Sequence, residues 1–111
     1  MRDAVDISPA EARQKVAAGA LLVDVREQSE WSHSHIDGSI HLPLSELQQR
    51  AGELATGAPV VFLCRVGGRS RLAADAFRAS GVSAFSLAGG LLAWDAAGLP
   101  LTPAGAGVAT H

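Results

Sequence analysis

Three short apolar runs, rich in β-branched residues, recur along the chain with helix-like segments between them. The runs are Leu21–Val25, Val60–Leu63 and Val82–Leu87. Nearly continuous apolar character of this kind is typical of strands that are buried on both faces of a parallel sheet. Val5–Ile7 is a candidate for a shorter opening strand. Strands that alternate with helices predict an α/β fold with a central, mainly parallel sheet flanked by helices.

Helix-start and helix-stop residues mark the segments between these runs. Ser8 as N-cap, Pro9 at the first helical position and Glu11 in a capping box predict a helix that ends near Ala18. Four further helices are predicted: Glu27–His33, Glu46–Leu54 with Ser45 as its N-cap, a helix that follows the Cys64 loop and ends at Gly81, and Leu91–Ala97.

The length of 111 residues fits one domain, and it is sufficient for a core that needs no disulfide or metal. We assign residues 1–101 to this domain and predict that 102–111, which are mostly small, form a flexible tail. The single cysteine argues against a disulfide-built secreted scaffold. The net charge of −2 argues against a nucleic-acid partner, and no apolar run reaches the ~20 residues that span a bilayer.

The basic residues are concentrated after the cysteine. Eight of the nine lysines and arginines are arginine, whose rigid fork of donors suits oxyanions. Four of them follow Cys64 closely: Arg65, Arg69, Arg71 and Arg78. We interpret Arg71 and Arg78 as solvated helix residues. Arg65 and Arg69 flank two glycines in a predicted loop, so we interpret them as groups that face an anion.

The segment Cys64–Ser70 runs from the most strand-like stretch of the chain into a helix. Gly67 and Gly68 allow a tight turn whose N–H groups point inward, and the helix start adds a positive dipole end. These surroundings lower the pKa of a thiol from its usual ~8.5, so we expect Cys64 to be a thiolate nucleophile. Asp24 and Arg26 follow another predicted strand, and ligands of parallel sheets gather at such carboxyl ends.

The segment Cys64-Arg65-Val66-Gly67-Gly68-Arg69-Ser70 resembles the active-site loop of the rhodanese-like sulfurtransferases. Further segments resemble other motifs of that family in the expected order: Asp24–Glu27, Glu30-Trp31 with His35–Ile40, and Gly89-Gly90 with Trp94, Gly98 and Pro100. The similarity covers roughly residues 5 to 101. Each motif alone is weak, whereas four in order are a specific signal.

The resemblance implies a single rhodanese-like domain that moves sulfur from thiosulfate, or a related donor, to a thiol or cyanide through a persulfide on Cys64. It implies that Arg69 orients the anionic donor, that Arg65 adds positive potential, and that backbone N–H groups of residues 65–69, with Val66, Gly67 and Gly68 among them, cradle the persulfide. Asp24, Arg26 and Ser70 are expected to support the loop. No cofactor is implied, the location is expected to be cytoplasmic, and an acceptor protein is a further candidate partner.

One residue departs from the family pattern, and two alternative functions stay open. Ser34 stands where the family usually has glycine before the His-Ile pair. A cysteine phosphatase or arsenate reductase has five residues between cysteine and arginine, and that spacing from Cys64 leads to Ser70 instead. A non-catalytic binding module has no need of a reactive thiol.

The histidines and tryptophans have simpler interpretations. His33, His35 and His41 match no compact zinc pattern, so we predict no metal site. Trp31 and Trp94 are predicted to pack in or beside the core rather than to stack on a ligand.

Overall fold

The computed structural model describes residues 4–109 and contains five strands and five helices in that range. The strands are β1 (Asp6–Ile7), β2 (Leu21–Asp24), β3 (Ile40–His41), β4 (Val60–Leu63) and β5 (Ala84–Leu87). The helices are α1 (Pro9–Ala17), α2 (Gln28–His33), α3 (Leu44–Arg50), α4 (Gly68–Ala79) and α5 (Gly90–Ala96), with a 3-10 turn at Ala51–Leu54. All strand pairs are parallel, in the order β1-β5-β4-β2-β3, which confirms the predicted α/β class.

Helices cover both faces of the sheet, and β4 at its centre shows how the core divides. Val61 and Leu63 join a cluster with residues of α1 and α5, including Leu91 and Trp94. The alternate residues Val60 and Phe62 join the second cluster, with residues of α3 and α4. Because successive side chains of a strand point to opposite faces, a strand buried on both sides must be apolar throughout.

The capping box predicted for α1 is confirmed, whereas the predicted start of α3 is wrong. The Ser8 hydroxyl accepts the Glu11 N–H, and the Glu11 carboxylate accepts the Ser8 N–H, both at 3.1 Å. Helix α3 begins at Leu44 after Pro43, so Ser45 lies inside the helix instead of capping it. The reason is a tertiary contact, because the Leu44 N–H donates to the Val25 carbonyl and fixes where the helix starts.

Two parts of the fold were not visible in the pattern. The two-residue strand β3, which pairs with β2, is too short to produce a periodic signal. The C-terminal residues pair with the domain through a bridge between His35 and Thr102. The flexibility predicted for 102–111 stays a prediction, and residues 110 and 111 lie outside the described part of the chain. Within residues 4–109, no helix is long and apolar enough to cross a membrane.

Candidate active site

Cys64 follows the last residue of β4, in the middle of the sheet, and the loop after it leads directly into α4. Its side chain is almost fully buried, with 1% of the residue exposed. Two backbone donors point at the sulfur, the Gly67 N–H at 3.1 Å and the Ser70 N–H at 3.4 Å. The Ser70 hydroxyl oxygen lies 3.5 Å from the sulfur, within reach to donate to a thiolate, and 3.2 Å from the Gly67 carbonyl oxygen. Of the N–H groups expected to cradle a persulfide, that of Gly67 donates to the sulfur, as does that of Ser70, which lies outside the predicted range 65–69. That residues 65–69 cradle a persulfide stays a prediction.

The surroundings of Cys64 favour the thiolate. Burial raises the pKa of the thiol, but hydrogen bonds from the Ser70 hydroxyl and from the backbone N–H groups of Ser70, Gly67 and Val66 outweigh it, so the pKa lies below its ordinary value. The N-terminus of the twelve-residue helix α4 also directs its positive dipole end toward this loop. These surroundings stabilise negative charge on the sulfur.

We expect Ser70→Ala to move the pH profile of thiol alkylation to higher pH. A thiolate can only accept from this hydroxyl, so the loss of the hydroxyl removes a donor to the charged form, raises the pKa of Cys64 and leaves less thiolate on the acid side of the profile. There the rate should fall about three- to tenfold, since each pH unit corresponds to a tenfold change in thiolate. Iodoacetamide labelling from pH 5 to 9 measures this.

Ser80→Ala is the matched control. This exposed serine directly follows α4, and its hydroxyl donates to the Ala76 carbonyl. Its alkylation profile should coincide with that of the wild type. Coincidence of the Ser70→Ala and wild-type profiles would show that the hydroxyl does not stabilise the thiolate.

Glycines allow the loop and the start of α5 to lie in contact. Gly67, before α4, has φ +110°, in the left-handed region that favours glycine. Gly90 has φ +61°, and a Cβ atom there would lie 2.5 Å from the Cys64 carbonyl oxygen. This close approach lets the Leu91 and Leu92 N–H groups donate to the Cys64 and Arg65 carbonyls at 2.8 and 3.2 Å. The pair Gly89-Gly90 therefore serves the site as well as the turn.

Arg69 is engaged with Glu30, a contact that the sequence did not reveal. The Nη1 and Nη2 atoms of Arg69 donate to the two carboxylate oxygens of Glu30 at 2.7 and 3.0 Å. Glu30 is 3% exposed, whereas 34% of the Arg69 side chain is exposed. The Arg69 hydrogen bond lowers the pKa of Glu30 against the opposing effect of burial. That Arg69 orients a donor stays a prediction, and in this structure its fork is bound to a carboxylate.

We expect Glu30→Gln to lower the free energy of unfolding at pH 7 by about 1–3 kcal/mol, a range reduced for the partial exposure of Arg69. Folding lowers the pKa of this carboxyl. Its contribution is therefore complete above the ordinary value of about 4.3 and is lost as the pH falls through the lowered one. Urea unfolding at pH 7 and pH 3 should show a gap between variant and wild type that closes in acid.

The control for this substitution is Glu53→Gln, which removes an exposed carboxylate paired with Arg50. It should change the unfolding midpoint much less at pH 7. A gap between Glu30→Gln and the wild type that persists unchanged at pH 3 would contradict the assigned role of the carboxylate.

Asp24 and Arg26 form a fully buried ion pair beneath α2. Both side chains are 0% exposed, and the Arg26 Nη2 lies 2.8 Å from Asp24 Oδ2. Arg26 also donates to the carbonyls of Glu30 and Ser34, at 3.4 and 2.8 Å. Arg26 thus binds the middle of α2, at Glu30, and the residue that follows it, Ser34, and the pair reaches the loop through Glu30 and Arg69.

The other loop and helix residues differ in their surroundings. Arg65 is half-buried and its Nε donates to the Ala109 carbonyl, while Val66 is exposed. Arg71 is exposed and pairs with Asp6 and Asp75, as expected of a surface helix residue. The expectation for Arg78 is wrong, because this half-buried side chain donates to the Ala84 carbonyl and lies 5.0 Å from the Phe85 ring centroid.

Two of the three histidines considered as metal ligands lie against Trp31. His35 and His41 both stack on the Trp31 ring, with centroid distances of 3.7 and 4.8 Å. Among residues 4–109 no group of three or more His, Cys, Asp or Glu side chains could hold a metal ion. Trp94 is buried in the core and its indole N–H donates to the Pro100 carbonyl, as predicted. The half-buried Trp31 packs on His35 and His41 and belongs to neither core cluster, so its predicted place in or beside the core stays a prediction.

Comparison with known proteins gives a consistent picture. A family model for the Rhodanese-like domain matches residues 8–97. A solved structure of a rhodanese-related protein from Thermoplasma volcanium aligns with a TM-score of 0.82 and 27% identity, over 89% of this chain and 98% of that one.

Relatives of known sequence differ in how much of their length the chain covers. The chain is 31% identical to the thiosulfate sulfurtransferase GlpE of Haemophilus influenzae, over 89% of this chain and 95% of GlpE. It is 41% identical to the uncharacterized protein YqhL of Bacillus subtilis, over 68% of this chain and 60% of YqhL. It spans less than half the length of several other relatives.

Proposed function

The chain belongs to the Rhodanese-like domain family, and from that membership we propose that it is a thiosulfate sulfurtransferase that carries sulfur as a persulfide on Cys64. The observation that carries the proposal is the sulfur of Cys64, which receives hydrogen bonds from Gly67 and Ser70 at the carboxyl end of β4. The similarity to GlpE, which covers nearly the whole of both chains, supports thiosulfate as the donor.

The proposed reaction has two steps that balance without an added oxidant or reductant. The Cys64 thiolate attacks the outer sulfur of thiosulfate, a new S–S bond forms, and the S–S bond of the donor breaks with sulfite leaving as the anion. An acceptor thiolate or cyanide then attacks the outer sulfur of the persulfide. The Cys64 thiolate leaves with the electron pair, so the enzyme returns to its starting state.

The loop supports this chemistry because its donors already point at the sulfur. Fixed N–H donors need no reorganisation when charge develops, so they stabilise the transition state more effectively than water would. The donor is a dianion, and we propose that Arg65 and the N–H groups of Arg65, Val66, Gly67, Gly68 and Arg69 attract it to the loop.

Intact mass spectrometry after incubation with thiosulfate tests the proposal directly. We expect the protein to gain one sulfur atom, and the gain should disappear after cyanide is added. No gain of mass with thiosulfate would overturn the assignment, and it would leave a non-catalytic binding module as the better interpretation.

A cysteine phosphatase is the competing enzyme class, and the loop argues against it. Arg69 follows Cys64 after four residues, and its fork is bound to Glu30 rather than directed into the loop. Hydrolysis of an aryl phosphate that requires Cys64 would reverse this ranking.

We further propose a cytoplasmic location, since a lone thiol that accepts sulfur suits a reducing compartment.

A further inference from the structure

The segment 103–109, which we name the C-terminal strap, crosses from α2 to the Cys64 loop. Side chains from both elements hold its backbone. His33 Nε2 donates to the Ala106 carbonyl at 2.9 Å, the Ser34 hydroxyl donates to the Gly107 carbonyl, and Arg65 Nε donates to the Ala109 carbonyl at 3.1 Å. Val108 packs against the core cluster on the α1 and α5 side of the sheet. The second half of the strap, residues 106–109, is thus held at four consecutive residues.

Ser34, the residue that departs from the family pattern, is the central anchor. Its backbone is extended, with φ −167° and ψ 154°, so this position does not require glycine. The side chain is fully buried, and its hydroxyl donates to the strap at Gly107. A glycine here would leave the backbone unchanged and would remove this anchor.

Arg65 is the loop residue that the strap holds. Its Nε is taken by Ala109, and within residues 4–109 its Nη1 and Nη2 have no hydrogen-bond acceptor. Arg69 differs, because both of its Nη atoms donate to Glu30. Of these two loop arginines, Arg65 therefore offers the fork edge that an oxyanion would bind.

We propose that the C-terminal strap is a positioning element that orients Arg65 to bind the anionic end of the sulfur donor. This inference rests on the proposed function, whose donor is an anion. An unrestrained arginine loses side-chain freedom when it is immobilised on a ligand, and this loss weakens binding. The strap removes part of that freedom before the donor arrives, so donor binding becomes tighter.

The kinetic test combines Ser34→Ala and Arg65→Ala, singly and together. Ser34→Ala should raise the KM for thiosulfate about three- to tenfold, which corresponds to the loss of one ordered side chain, and should change kcat less than twofold. In the Arg65→Ala background the same substitution should have no further effect on KM. An equal rise in both backgrounds would overturn the proposal, as would an unchanged KM in the single variant.

Two further variants separate the anchor from general damage. His33→Ala removes a different strap contact without altering a buried residue, and it should raise KM in the same direction. The control is Ser32→Ala, since the exposed Ser32 hydroxyl accepts from Gln28 and does not touch the strap. If Ser32→Ala raised the KM for thiosulfate as much as Ser34→Ala, the effect could not be assigned to the anchor between Ser34 and the strap.

Binding measurements distinguish failure of this inference from failure of the proposed function. Calorimetric titration of the Cys64→Ser protein with thiosulfate needs no turnover, and adding Ser34→Ala should raise the Kd about three- to tenfold. Hydrogen exchange over residues 103–109 should also become faster. If the wild type forms no persulfide, the proposed function fails, and the role of the strap is then judged on the Kd for thiosulfate alone. A Kd that Ser34→Ala leaves unchanged would overturn the inference about the strap.

Discussion

Cys64→Ser is expected to lower the rate of thiocyanate formation from thiosulfate and cyanide by roughly three orders of magnitude or more. Serine keeps the shape of the side chain and can still accept the N–H groups of Gly67 and Ser70. Its hydroxyl remains protonated, however, and cannot hold the sulfur as a persulfide. The measurement is the initial rate, with the intact mass of the variant as a second readout.

The effect should be specific to the sulfur. Arg71→Ala is the control, since Arg71 lies on the same helix as Arg69, is exposed and pairs with Asp6 and Asp75. It should retain nearly the full rate. A Cys64→Ser protein that turns over at the wild-type rate, or gains sulfur equally, would show that another group carries the sulfur.

Asp24→Asn should have the largest effect on stability, lowering the free energy of unfolding by about 3–5 kcal/mol. The substitution leaves the Arg26 guanidinium 0% exposed and without its charged partner. A domain of this size has only about 5–15 kcal/mol in total. Urea unfolding followed by circular dichroism measures the change.

Asp75→Asn removes a carboxylate from an exposed pair with Arg71 and serves as the matched control. We expect its unfolding midpoint to stay close to that of the wild type, because water solvates the released charge. Equal midpoints for Asp24→Asn and Asp75→Asn would mean that the buried pair contributes no more than a surface one.

The features that follow from local pattern could be predicted from the sequence. β4 has an apolar residue at every position because both faces are buried, and the start of α1 depends on residues three apart. The Cys64 loop belongs to the same class, since glycine and the helix start act on a sulfur only a few residues away. For such features the sequence distance and the spatial distance are both short.

Contacts between distant segments could not be predicted in this way. Glu30 and Arg69 are 39 residues apart, and Ser34 and Gly107 are 73 residues apart. Neither pair leaves a periodic signal, because their contact depends on how α2, α4 and the C-terminal strap pack. At Ser45 the local pattern predicted a helix start that the structure does not have. The Leu44 N–H donates to the distant Val25 carbonyl, and the helix begins at Leu44 instead.

The hydrogen bonds from Leu91 and Leu92 to the carbonyls of Cys64 and Arg65 join the loop to α5. Each helix start has N–H groups without partners inside the helix. Here two carbonyls of the Cys64 loop accept two of these N–H groups. Opening of the loop would break these bonds at the first turn of α5, a helix whose Leu91 and Trp94 are part of the core. We therefore expect Cys64 to unfold together with the core, so that, under the proposed function, the donor meets a cradle that is already formed.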